Sequence, residues 1–166
     1  MDKLPEQVLV ILKQLPFTWL SIGFKQIFLY SEQDAIEGQK GYRQGFSDDA
    51  LFSAFEGDWN PNWYVIGKDE LNSAFLIDIR KNEPEIVLAL SGYDEWHHIN
   101  VASNISNFIR ILKWIEKISQ GRENEELLEK NPIPDLVRNQ VLLQIKKENP
   151  NSDISYWEEF LENYDD

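Results

Sequence analysis

Residues 62–91 read NWYVIGKDELNSAFLIDIRKNEPEIVLALS. Three short runs rich in β-branched and aromatic residues lie here: NWYVIG (62–67), SAFLIDI (73–79) and EIVLALS (85–91). Such residues suit a pleated, half-buried surface. KDELN and RKNEP separate them, and both are short, charged and turn-forming. Connections this short cannot hold a crossover helix, so the economical arrangement is a meander of antiparallel strands. An antiparallel or mixed sheet is the nucleus of the expected fold.

Upstream, Leu4, Val8, Ile11, Leu12 and Leu15 recur at helical spacing, Pro5 suits a first turn, and Pro16 ends the run. FKQIFLY (24–30) is a further strand candidate. Ser31, with Asp34 three residues on, predicts a helix over SEQDAIEGQKGY that stops near Gly38 or Gly41. Residues 43–62 are polar and rich in Gly and Pro, a loop with one short helical turn at 48–55.

Downstream, Ser103 is the expected cap of a helix whose stripe is Ile105, Phe108, Ile109, Leu112 and Ile115, with Gly121 as its stop. Beyond it the chain becomes more acidic. ENEELLEKNPIPD reads as a charged connector. DLVRNQVLLQIKKE and SDISYWEEFLENY read as a helical pair joined by the turn NPNS, the second capped by Ser152 or Asp153. Tyr156, Trp157, Phe160 and Leu161 form a stripe suited to docking on the chain's own core. Clustered strands with flanking helices define an α+β class. The expected division is an α+β unit over 1–121 and a helical extension over 122–166 packed on the same domain.

Composition limits the function. The chain has 166 residues, 42% of them hydrophobic and 13% aromatic, enough to bury a core. There is no cysteine, which excludes disulfides, thiolate metal sites and a thiol nucleophile. The opening MDKLPEQVLV has no basic region ahead of a long apolar run, so no signal peptide is read; no stretch is long and apolar enough to span a bilayer. A cytoplasmic location is expected. The net charge of −13 repels nucleic acid and anionic membrane surfaces, and it attracts a basic protein partner. The same charge also serves simple solubility.

SGYDEWHHINV (91–101) holds the only two histidines, His97 and His98. Adjacent side chains on an extended segment point to opposite sides, and no HxH or HxxxH spacing exists, so neither a metal site nor a cofactor is expected. Glu95 and His97 could act as an acid–base pair with Ser91 nearby, but no nucleophile-elbow motif accompanies them. Trp96 reads as a core anchor. Asp78 interrupts an apolar strand and calls for donors from the following turn RKN. In GDWNPNW, Trp63 opens a strand and is expected in the core. Trp59 is expected at the surface, ringed by Asp48, Asp49, Glu56 and Asp58, as an aromatic anchor for a basic partner. A solvated loop over a buried tryptophan is the competing arrangement. Asp94 and Glu95 complete the candidate partner-binding residues.

The ordered set Trp63, Ile66, Gly67, Asp69, Phe75, Ile77, Asp78, Trp96, Ala102, Phe108 and Leu112 resembles the SUKH superfamily. The pattern is a tryptophan-bearing strand ending in an apolar-Gly-x-Asp turn, then an apolar-Asp-apolar strand, a third strand ending near a loop tryptophan, and a helix with a buried Phe. YSEQDAIEGQKGY is similar to that family's strand-to-helix segment. The resemblance spans roughly residues 24–118. FTWLSIGFKQ stands where the family carries a Gly-rich turn, and Asn72 and Ser73 stand where it carries a glycine. The resemblance implies a non-enzymatic α+β binding protein, monomeric or weakly dimeric, of the kind that acts as immunity protein against a bacterial toxin, often a nuclease, by occluding its active site. A carbohydrate-binding or hydrolytic domain using the 94–98 loop, and a regulatory adaptor with several partners, remain alternatives.

Overall fold

A computed structural model describes residues 3–45, 47, 49–51, 58–90 and 96–164. Its elements are α1 (Glu6–Leu12), β1 (Trp19–Ile22), β2 (Lys25–Leu29), β3 (Trp63–Asp69), β4 (Ala74–Asp78), β5 (Ile86–Leu90), β6 (His97–Ala102), α2 (Ile105–Ser119), α3 (Glu125–Lys130), α4 (Asp135–Glu148) and α5 (Ser155–Phe160). The six strands form one sheet in the order β1-β2-β3-β4-β5-β6, and every neighbouring pair is antiparallel. The expected α+β class and the meander of 62–91 are both present.

Two strands escape the sequence pattern. β1 and β2 are joined by Gly23-Phe24, with Gly23 at φ 62°. A two-residue hairpin with glycine first and φ positive has a sequence signature, Gly-X between short apolar runs, and IGFK carries it. Any side chain at Gly23 would also meet the Tyr164 hydroxyl, 2.1 Å from the Cβ position. β6 lies where a loop around the histidines was expected. Its residues His97–Ala102 close the sheet by pairing with β5.

Because strand residues alternate, the register sorts the side chains onto two faces. One face carries Leu20, Ile22, Ile27, Leu29, Phe75, Ile77 and Leu88, and α1, α2, α4 and α5 pack on it. Phe108 of α2 is fully buried there, 5.5 Å from the ring of Phe75 and 6.2 Å from that of Trp157. Phe108, Leu112 and Ile115 of the expected α2 stripe are buried, joined by Ile111 and Ile118, while Ile105 and Ile109 are half-buried. The cap is Asn104, not Ser103, and it accepts the Asn107 N–H at 2.9 Å.

The C-terminal segment holds three helices rather than two. EELLEK forms α3, capped by Asn124, which accepts the Leu127 N–H. Leu128, Ile133, Ile145, Trp157, Phe160 and Leu161 all join the same core as the sheet. Asp153 accepts the Ser155 N–H at the entrance to α5, and Trp157 Nε1 donates to Val101 O at 2.8 Å. Asn149 is fully buried: Oδ1 accepts the Ser103 N–H and Nδ2 donates to Ile145 O, tying the start of α2 to the end of α4.

Among the described residues no α-helix packs on the second face of the sheet; most of the helical turn expected at 48–55 lies outside them. Residues 31–41, expected as an α-helix, form turns and a short 3-10 segment at Glu37–Gln39. The reason is Gln39. Its buried amide donates to Val65 O at 2.9 Å and accepts the Val65 N–H at 3.0 Å, replacing the strand partner that β2 no longer supplies there. The Ser31–Asp34 pairing does occur, with Asp34 N donating to Ser31 Oγ.

Candidate functional site

The other face carries an aromatic cluster of its own, Tyr42, Trp59, Trp63 and Trp96. Trp63, Val65 and Leu76 belong to it by register, as do Val87, Ala89, His98 and Asn100. Tyr42 and Trp59 are laid over it by the irregular segment between β2 and β3. Trp59 is fully buried, with its ring 4.9 Å from Trp96 and 5.7 Å from Trp63, and Nε1 donates to Trp63 O at 3.3 Å. The expectation of an exposed Trp59 is therefore corrected. The sheet face offers an unfilled apolar surface, and the largest ring in the loop covers it. Trp63 and Trp96 are half-buried, each leaving an edge open.

Of the acidic residues expected around Trp59, Asp49 and Asp58 are exposed. Asp48, Glu56, Asp94 and Glu95 lie outside the described residues, as does Ser91. The two histidines sit on strand β6, both exposed. His98 faces the helix-free side, 5.3 Å edge-to-face from Trp63, and His97 pairs with Leu90 on the alternate side. A groove of about 390 Å³ runs beside them, lined among others by Asn60, Trp63, His98 and Asn100. Asp78 closes its rim. Its carboxylate accepts the Arg80 backbone N–H at 3.0 Å and Arg80 Nε at 2.9 Å, so the predicted donors in the following turn are present and joined by a guanidinium. The Arg80 hydrogen bond pulls the Asp78 pKa below the ordinary carboxylate range.

A second recess, missed in the sequence, opens at the other end of the sheet. The β3–β4 hairpin turns through Glu70, Leu71 and Asn72, with Asn72 at φ 61°. Asp69 holds the turn: Oδ1 accepts the Leu71 N–H at 2.9 Å and the Ser73 N–H at 2.8 Å. This side chain lies on the helix-covered face, opposite Ile27, and is 5% exposed. Burial pushes its pKa up to about 6 against the lowering effect of those hydrogen bonds, and the Glu70 charge adds to the rise. Asp69, Glu70 and Glu159 all line a crevice of about 160 Å³ between this turn and α5.

Leu88 and Leu90 form the crevice's apolar wall, and Phe24 and Leu71 stand at its mouth, 49% and 67% exposed. Lys25 is also there, but its ammonium is engaged with the last turn of α5, donating to Glu159 O at 2.5 Å and Glu162 O at 2.7 Å. The Tyr156 hydroxyl is shut away from solvent, although its ring is partly exposed, and it has no hydrogen-bond partner among the described residues. Burial raises its pKa well above the ordinary tyrosine value, and Asp69, Glu70 and Glu159 add to the rise. The only sequence signal for this recess was the Asp-Glu pair inside a hairpin turn. Nothing in it announced that α5 would close over the turn, because that contact joins residues nearly ninety positions apart.

Among the described residues, no cluster of three or more His, Cys, Asp or Glu has the arrangement of a metal site. No described helix is long and apolar enough to cross a membrane. The chain is thus an α+β protein built on a six-stranded antiparallel meander with one helix-covered face. No family model, no curated protein and no solved structure matches it.

Proposed function

We propose that this chain is a cytoplasmic protein-binding module of the immunity kind, which covers the cationic active site of a basic toxin and competes with that enzyme's anionic substrate. One observation carries the proposal. Phe24 and Leu71 stand exposed at the mouth of a crevice whose carboxylates are Asp69, Glu70 and Glu159. An apolar centre beside a polar rim is the ordinary anatomy of a protein interface. An acidic rim on a chain of net charge −13 speeds encounter with a basic partner and penalises acidic ones. The resemblance to SUKH immunity proteins supports the same reading.

The test is inhibition as well as capture. Incubated with lysate of its own cell, the chain should retain a basic enzyme at low salt, release it as salt rises, and suppress its activity at one-to-one stoichiometry. The double variant Phe24→Ala/Leu71→Ala should fold and lose both effects. An inhibition untouched by salt and by this variant would refute the proposal. Several unrelated partners in place of one enzyme would point to a regulatory adaptor.

The groove beside Trp63 favours a second reading. A half-exposed indole flanked by Asn60, Asn100 and His98 has the mixture of stacking surface and hydrogen-bonding groups that a sugar ring needs. Saturable quenching of tryptophan fluorescence by an oligosaccharide, lost in Trp63→Ala, would favour it. Turnover lost in Glu95→Gln or His97→Ala would make it a hydrolase.

A further inference from the structure

We infer that the pocket on the second face of the sheet, walled by Tyr30, Tyr42 and Trp96 and flanked by the Lys68 ammonium, is a binding site for a small ligand that joins a flat ring to an acid group. The inference goes beyond the partner-binding proposal and does not depend on it.

Register and a glycine place the walls. Lys68 pairs with Ala74 across β3 and β4, which sets its side chain on the face that carries Tyr42 and Trp96. Tyr30 follows directly on β2. At Gly38 a Cβ would meet the Tyr30 ring 2.3 Å away, so only a glycine lets the segment 31–41 lie against that ring. The Tyr42 and Trp96 rings stand 5.9 Å apart, tilted by 45°. The pocket these residues line measures about 560 Å³. Sites for small molecules typically hold roughly 300–1,000 Å³ and combine aromatic walls with a few placed polar groups.

Here the polar groups are placed by one residue. Asn72 sits in the left-handed region at φ 61°, which asparagine tolerates better than most side chains. Its backbone carbonyl accepts the Tyr42 hydroxyl at 2.8 Å, and its Oδ1 accepts Lys68 Nζ at 2.9 Å. A single turn residue thus orients both a ring and a cation.

Charge selects the ligand. The Lys68 ammonium is bonded to a neutral amide, and among the described residues no carboxylate pairs with it. Two of its three N–H donors are left over. Lys40, the other cation of the lining, is paired with Glu37 at 3.0 Å. The lining therefore holds two ammoniums and one carboxylate, an excess of one positive charge, in a chain with 29 acidic and 16 basic residues. A half-buried cation beside apolar rings is costly without a counterion, and an anion offsets that cost. One acid group matches one excess charge. An ammonium acts as a point charge toward carboxylate and phosphate alike, so both acids belong to the expected class. The rings supply stacking surface for the flat part of the ligand.

The experiment is a titration of the full chain with naphthoate and with naphthyl phosphate, followed by amide and indole NMR. Naphthylmethanol, which lacks the charge, and cyclohexanecarboxylate, which lacks the flat ring, are the controls. Saturable shifts are expected at Lys68, Asn72 and the Trp96 indole, while Lys81 and Asn100 in the groove beside Trp63 stay unmoved. Binding of either acid supports the inference, and the tighter one identifies the acid group. Lys68→Met keeps the aliphatic stem and should weaken both acids about tenfold, the loss of one charge-assisted hydrogen bond. Lys68→Arg should keep most of the affinity. A parent chain without saturable shifts would overturn the inference. So would either control binding as tightly as the acids, a Lys68→Met variant that binds as the parent does, or shifts confined to the groove beside Trp63.

Discussion

The two faces of the sheet solve the same problem with different materials. On one, helices cover Ile22, Ile27, Phe75 and Leu88, and the layer between is mainly aliphatic. On the other, an irregular segment covers Val65, Ala74, Leu76 and Ala89 with Tyr42 and Trp59. A helix satisfies its own backbone and can press an apolar stripe onto a sheet. A loop cannot, so its polar groups must be met one by one. Gln39 meets those of Val65, and Arg43 donates to Pro61 O and Trp63 O while lying 3.8 Å over the Tyr64 ring. Large flat rings then fill the surface that a helix would otherwise have covered. The helix-covered face is a folding core; the loop-covered face is a patch held by a few specific bonds.

The contrast predicts a hierarchy of effects. The largest should come from Phe108→Ala, which leaves a cavity under α2 and should cost about 3–5 kcal/mol in denaturant unfolding. If Phe108→Ala were to cost less than the variants below, the helix-covered face would not be the core. Gln39→Leu should follow. It strands the Val65 N–H and carbonyl, at a cost of about 2–3 kcal/mol. Trp59→Ala sharpens the comparison in a different observable. Hydrogen exchange should accelerate at Val65 and along the covering segment, while the α2 amides keep their protection. Exchange rising equally in both places would show the two clusters to be one cooperative unit.

The smallest expected effect is a gain. Asp69 is raised from 3.8 to about 6 on folding, so its ionised form is disfavoured in the folded protein. Its contribution to stability is therefore best below pH 4 and is lost as pH rises through about 6. Asp69→Asn keeps an acceptor for Leu71 and Ser73 and removes the charge. It should stabilise the protein at pH 7.5 by about 1 kcal/mol, with the difference shrinking toward zero at pH 4. A variant that is less stable than the parent at pH 7.5 would contradict the burial argument. It would also show that the carboxylate is already paired.

How much of this was legible depends on the range of each interaction. Elements with strong periodicity or turn chemistry of their own could be read directly: β3, β4 and β5 with their charged turns, α2, and α4, whose limits of Asp135 and Glu148 coincide with the segment DLVRNQVLLQIKKE. The Asp78 turn was also local, its donors being two residues away. Short elements with partners far along the chain could not be read. β1 is only four residues long, and β6 opens on the polar, exposed His97 and His98 instead of an apolar run; both pair with the open edges that β2 and β5 present. The helix predicted over 31–41 gave way because a single glutamine is worth more bonded to β3 than facing solvent.

The candidate site divides in the same way. Composition alone established an acidic chain free of cysteine. That follows from counting charges, which no fold can change. Which acids matter could be decided only in three dimensions. Trp59, the expected surface anchor, is buried because an uncovered sheet face demanded an aromatic lid. Phe24 and Leu71 each sit in a hairpin turn at the sheet's end and stay 49% and 67% exposed, Phe24 with one ring face stacked on Tyr164. The crevice between them depends on α5 folding back onto a turn formed long before it in the chain. Local sequence sets charge, periodicity and turns, since these depend on neighbours; burial depends on what packs above, and only the tertiary structure brings that into place.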